Sequence, residues 1–221
     1  TAFQMENDQL DISIDGILVP SGADLELSGQ LNDLSDVIET ASGELLIEGA
    51  VAGSGPAYDA RFSLDVPNGT LSGQPLGGLG ADFAGTLETA AVNGALVVDG
   101  RLAGEPLEGT LDLIVDGDRQ ELNNLDVRYA GAELSGGIAT GNNGALAGVI
   151  DFQVSQLANL ALLAGQDVSG AASGSFTLSS NGNAFQDGAL VAQLSGLQAA
   201  GLRVRSGNLE AQVTDLFNAQ N

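Results

Sequence analysis

The sequence predicts an all-β chain, an antiparallel meander interrupted by one short helix. Three observations carry this reading. Apolar and polar residues alternate with period two over most of the length, the mark of half-buried strands. Asn-Gly, Asp-Gly and related pairs recur between the alternating runs, and they tolerate the positive φ that tight hairpins need. Glycine accounts for 32 of 221 residues, about twice its usual share of roughly 7%. Aromatics are only 4%, so any interior is aliphatic and thin.

The elements follow in order. Leu10, Ile12 and Ile14 alternate with Asp11, Ser13 and Asp15, and Ala23, Leu25 and Leu27 come next. Residues 30–43 fit a loop, an edge strand or a short helix, and residues 1–60 as a whole read as irregular N-terminal strands. Residues 61–221 read as one continuous run of strand repeats. Its sets include Phe62, Leu64 and Val66; Leu96 and Val98; Leu111, Leu113 and Val115; Leu125, Val127 and Tyr129; Ile150, Phe152 and Val154; Phe176 and Leu178; Leu190 and Leu194; and Leu209, Ala211 and Val213. Turn signals stand at Pro67-Asn68-Gly69, Asn93-Gly94, Gly104-Glu105-Pro106, Asp116-Gly117-Asp118, Asn142-Asn143-Gly144 and Asn181-Gly182. Short connections pair neighbours antiparallel. About a dozen strands of about six to eight residues are expected. Leu157, Leu160, Ala161 and Ala164 fall at i, i+3, i+4 and i+7, which predicts a helix near residues 155–164 with Gly165 as its stop. A helix that short is marginal alone, so it must dock on the sheet and cap an open end.

Charge narrows the function. There are 29 acidic residues against six basic ones, for a net charge of −23. The basic residues are all arginine. Such a surface repels nucleic acid and anionic membrane surfaces. No His, Lys or Cys is present, so the usual general bases, activated nucleophiles and zinc ligands are missing. The expectation is a protein that is not an enzyme and needs no metal or cofactor. No apolar run reaches the roughly 18 residues of a membrane span.

Three local motifs have plain readings. Gly77–Gly85, GGLGADFAG, fits much of a calcium-binding nonapeptide, but that motif works in tandem copies and stands alone here. Asp82 reads instead as a solvent-facing strand residue. Asn68-Gly69-Thr70 fits a glycosylation acceptor and reads better as a hairpin tip. Arg203 and Arg205 read as an exposed edge pair, with contact to an anionic head group as the alternative.

Many inward positions are Gly or Ala, among them Gly109, Gly148, Gly170, Ala172 and Gly174. Either two sheet faces approach very closely, or the sheet curls around something that is not protein. The stretch AELSGGIATGNNGALAGVIDFQVSQLANLALLAGQDVSGAASGSFTLSSNG, Ala132 to Gly182, bears on this choice. It runs from alternating strands carrying LSG to a strand and a short Leu/Ala helix. A G-x-D-hydrophobic-S-G turn then leads to a strand with Gly or Ala on alternate positions. In that order of parts it resembles the TamB family of Gram-negative envelope proteins, over roughly residues 94–216.

The resemblance implies an elongated, taco-like sheet with an apolar groove, in a long periplasmic protein anchored in the inner membrane outside this segment. It implies partnership with a TamA-like outer-membrane barrel. Its implied roles are phospholipid passage between the membranes and assembly of outer-membrane proteins such as autotransporters. On that reading Leu111, Leu113, Val115, Leu125, Val127, Leu146, Ile150, Phe152, Val154, Phe176, Leu178, Leu190 and Leu194 line a groove for phospholipid acyl chains. In an ordinary sandwich the same residues are the core. Bulky replacements at Gly148 or Gly174 are expected to separate the two. Two other functions compete: a structural or adhesive β-solenoid passenger, and a groove for unfolded outer-membrane strands bound through an open sheet edge.

Overall fold

The computed structural model describes residues 2–6, 9–140, 144–163, 166–180 and 186–214. The chain divides into two compact units, residues 1–109 and 110–221. The first contains β1 (Ala2–Glu6), β2 (Leu10–Val19), β3 (Gly22–Leu31), a single 3-10 turn (Leu34–Asp36), β4 (Ala41–Gly43), β5 (Leu45–Gly53), β6 (Ala57–Leu71), β7 (Gln74–Glu88) and β8 (Ala91–Leu102). β9 (Glu105–Asp116) runs across the division. The second unit continues with β10 (Arg119–Tyr129), β11 (Ala132–Thr140), β12 (Leu146–Val154), α1 (Leu157–Leu163), β13 (Val168–Ser180), β14 (Gln186–Ala199) and β15 (Leu202–Val213).

The fold is all-β, and the described strands form one 15-stranded sheet in chain order. Only β4 leaves that path, to pair with β6. The strands with described registers are antiparallel neighbours, not the parallel rungs of a solenoid. β1 and β15 are the two ends of the path, so the sheet is open.

The strands run longer than the turn signals suggested. Pro67-Asn68-Gly69 lies inside β6 and Asn93-Gly94 inside β8. The hairpin turns include Ser72-Gly73, Ala103-Gly104, Ala130-Gly131 and Ala200-Gly201, each with positive φ at both residues. Two consecutive positive φ values match the right-handed twist of a hairpin. The alanines escaped a reading tuned to Asn and Asp. Of the other expected signals, Asn142, Asn143, Asn181 and Gly182 lie outside the described residues, as do Ala164 and Gly165.

Register sorts the side chains of the first unit into two faces. Ile14, Leu27, Gly49, Phe62, Phe83 and Leu96 share one row across the strands, with Ile12, Gly29, Ile47, Leu64, Ala81 and Val98 beside it. The intervening positions, such as Ser28, Glu48, Ser63 and Asp82, form the opposite, polar face. No large side chain anywhere among the described residues falls below 2% exposure. The apolar face therefore packs sideways, strand to strand. The Phe62 and Phe83 rings stack with centroids 6.3 Å apart. Each lies over a glycine of the next strand: a Cβ at Gly49 would sit 2.6 Å from the Phe62 ring, and one at Gly94 would sit 2.6 Å from the Phe83 ring. An aromatic ring thus covers the gap that glycine leaves.

One end of this face is closed. Leu31, Leu34, Ala41, Val66 and Leu76 form a buried cluster, joined by Leu10, Leu45, Leu71, Leu79 and Leu102. Leu34 reaches it from the 3-10 turn, so residues 30–43 resolve into a strand end, that turn and the short β4. Asp33 caps the turn by accepting a hydrogen bond from the Ser35 amide at 2.9 Å. That bond holds the Asp33 carboxyl below its ordinary range.

Two expectations follow. Gly136 has φ +144°, and a Cβ there would run into the Val149 carbonyl oxygen of β12. Gly136→Ala should lower stability by about 1–3 kcal/mol in urea unfolding. Gly207→Ala, whose Cβ would meet only the Val204 side chain at 3.6 Å, should be nearly neutral. The Asp33 carboxylate stabilises the turn above the ordinary carboxylate range, and this contribution fades as pH falls through that range toward the lowered folded value. The protection of the Val37 and Ile38 amides, both bonded to the Leu34 carbonyl, measured against the intrinsic exchange rate at each pH, should fall on acidification. The fall should be smaller in Asp33→Asn.

Candidate apolar binding face

The second unit repeats the two-faced arrangement. β10 to β15 align Val127, Leu134, Phe152, Gly174, Ala192 and Leu209 in one row. The next row holds Leu125, Gly136, Ile150, Phe176, Leu190 and Ala211. Val154 and Leu194 extend the face at one end, and Leu178 and Leu146 extend it at the other. Ten of the residues read from the sequence as a groove are thus brought to one face by register. Leu111, Leu113 and Val115 lie on one side of β9 and are half-buried.

Burial across this face is shallow. Val154 and Leu178 are buried, while Ile150, Phe152, Phe176, Leu190 and Leu194 are only half-buried. Leu134, on the same face, is 38% exposed and Leu209 is 44% exposed. A sandwich core packs its large side chains at crystal-like density between two layers. Here all strands belong to one sheet, and these side chains keep part of their surface open.

Both ends are fastened. At one, α1 packs against β13, and Ala161 is buried. The Asn159 side chain donates to the Ala130 carbonyl at 3.1 Å, and the Ser155 hydroxyl donates to the Gly131 carbonyl at 2.9 Å. The predicted short helix therefore holds the end of the sheet beside the β10–β11 turn. At the other end Gln186 is 4% exposed. Its oxygen accepts from the Leu146 amide at 2.7 Å, and its nitrogen donates to the carbonyls of Leu146 at 2.7 Å and Ser179 at 3.2 Å. One side chain so ties the start of β12 to the β13–β14 hairpin. Nothing in the sequence marked it, because a buried glutamine looks like any surface glutamine until its partners are placed.

Charge stays on the opposite face. Asp126, Ser135, Asp151 and Ser175 form a row there, and Arg128 pairs with Asp126 at 2.8 Å in the open. Arg119 binds Glu121 at 2.7 Å. The Arg119 and Asn123 hydrogen bonds hold the Glu121 carboxyl below its usual range, and the Arg119 guanidinium is raised in turn. Arg203 and Arg205 are exposed on β15. Asp82 is exposed on the polar face of β7. Among the described residues no group of His, Cys, Asp or Glu is arranged to hold a metal. The apolar rows carry no ionisable side chain.

The structure corrects the expectation for Gly148 and Gly174. A Cβ at Gly148 would stand 2.8 Å from the Ile138 Cα, and one at Gly174 would stand 2.8 Å from the Ala192 Cα and 3.0 Å from the Phe152 ring. Both glycines admit a neighbouring strand's backbone. Enlarging either disrupts the sheet whether or not a ligand binds, so neither separates a groove from a core. The sequence reading also passed over Leu134, Ile138, Leu209 and Val213, which share the face. Leu209 and Val213 stood in an alternating set, and register was needed to bring that set to the others.

Gln186→Leu leaves the Leu146 amide and carbonyl without this partner. It should cost about 2–4 kcal/mol in chemical denaturation, and the Leu146 amide should lose most of its protection in hydrogen exchange.

No family model, no curated protein and no solved structure matches the chain.

Proposed function

We propose that this protein takes lipid acyl chains on the apolar face of its sheet, as a segment of a TamB-like envelope protein. In that role it passes phospholipid between the inner and outer membranes across the periplasm, in concert with a TamA-like barrel, and supports outer-membrane protein assembly. One observation carries the reading: a continuous apolar face, set in register over β10 to β15, keeps most of its large side chains half-open. An acyl chain laid there gains about 0.8 kcal/mol for each CH₂ removed from water. The face offers no cation to a phosphate, so the head group stays outside it.

A second reading rests on β15. Its neighbour in the sheet is β14, and its side chains are exposed along almost the whole strand. Such an edge accepts an added strand by main-chain hydrogen bonding. The client is then an unfolded outer-membrane protein.

Adjacent positions on opposite faces provide the test. A photoreactive amino acid at Ile150 faces the apolar side, while one at Val149, 42% exposed, faces the polar side. Irradiation in Gram-negative cells should give phospholipid adducts at Ile150 and not at Val149, read by mass spectrometry. Equal labelling at both, or none at Ile150, removes the lipid reading. Protein adducts concentrated at β15 with no lipid at Ile150 favour the strand-binding reading.

A further inference from the structure

The β2–β3 hairpin breaks the rule that the rest of the first unit obeys. Along β2 the polar face carries Asp11, Ser13 and Asp15, then Ile17 and Val19. The other face carries Ile14 and Gly16, then Leu18. At the tip both faces are apolar. Ile17 is 62% exposed, Leu18 64% and Val19 45%. Residues 17–23, ILVPSGA, contain no charged group, and Asp15 and Asp24 bracket them. This end of the unit is also the one away from the buried leucine cluster, which gathers where β2 begins and β3 ends.

We propose that this hairpin tip inserts into the surface of a lipid bilayer. A protein docking on one face would cover Leu18 and leave Ile17 and Val19 in water, or the reverse. Hydrocarbon surrounds both faces at once. The reach fits: Ile17 to the turn is about 10 Å of strand, and interfacial segments bury roughly 5–10 Å deep. Asp24, opposite Ile17, is exposed and sets the limit of insertion. The two flanking carboxylates, on a chain of net charge −23, direct the tip toward zwitterionic lipid. Anionic lipid repels it at low salt and less so at high salt. The inference needs no acyl chain on the β10–β15 face.

The chain has no tryptophan, so one introduced tryptophan reports alone. Leu18→Trp in the full chain should shift its emission to the blue on adding phosphatidylcholine vesicles and be quenched by brominated acyl chains. Val191→Trp, at a site 51% exposed on the polar face of β14, should do neither. Replacing anionic by zwitterionic lipid should increase the shift at Leu18. A triple variant, Ile17→Ser, Leu18→Ser and Val19→Ser, alters only exposed side chains and should keep its circular dichroism. Its vesicle partition coefficient should fall at least about ten-fold. No shift at Leu18→Trp, equal shifts at both reporters, or a triple variant that floats with vesicles like the parent overturns the proposal. A shift at Leu18 in a protein that gives no lipid adduct at Ile150 upholds it and removes only the lipid-carrying role of the β10–β15 face.

Discussion

Much in this structure answers to one constraint: the described strands all belong to one open sheet. The backbone ladder satisfies amides and carbonyls strand by strand, but it provides no opposing surface for the apolar side chains. Those side chains must find contacts along their own face, with cross-strand neighbours about 5 Å away. Phe62 over Gly49 and Phe83 over Gly94 are the solution in the first unit. Phe152 beside Gly174 is the counterpart in the second, where the pair sits in direct register. A ring reaches sideways, and a glycine makes room for it.

The same constraint explains the ends. A sheet with one apolar face exposes that face most where strands stop. In the first unit a 3-10 turn inserts Leu34 there, and Asp33 holds the turn. In the second, α1 lies at one end and the Gln186 side chain at the other. These are small devices, each a few residues between long strands. They secure the ends while leaving the middle of each face half-open.

Charge completes the logic. A chain with this much open apolar surface needs a means of staying apart from its copies. The carboxylates on the reverse face provide it, since like charges keep molecules from stacking. Electrostatics and the apolar face thus have separate territories, and a ligand meets only one of them. The face suits a guest recognised by its hydrocarbon. The β2–β3 tip is where that segregation lapses, and a bilayer is the surroundings that such a lapse fits.

Much of this was legible in the residues alone. Period-two alternation over so many runs dictates antiparallel strands, because only a strand places every second side chain on one face. The spacing of Leu157, Leu160 and Ala161 located the helix for the same kind of reason. The residues of the candidate face from β10 to β14 were legible too, since each alternating set could only face one way. What tertiary structure decided was how those sets meet. Register brought Leu134 and Leu209 into the row of Phe152, which alternation within one strand does not specify. It decided that Gly148 and Gly174 admit backbone and are not spare room, and that Gln186 is a clamp. It also decided that most of the large side chains on the face stay half-buried. Periodicity states which side of a strand is apolar; only the placement of the other strands states whether anything covers it.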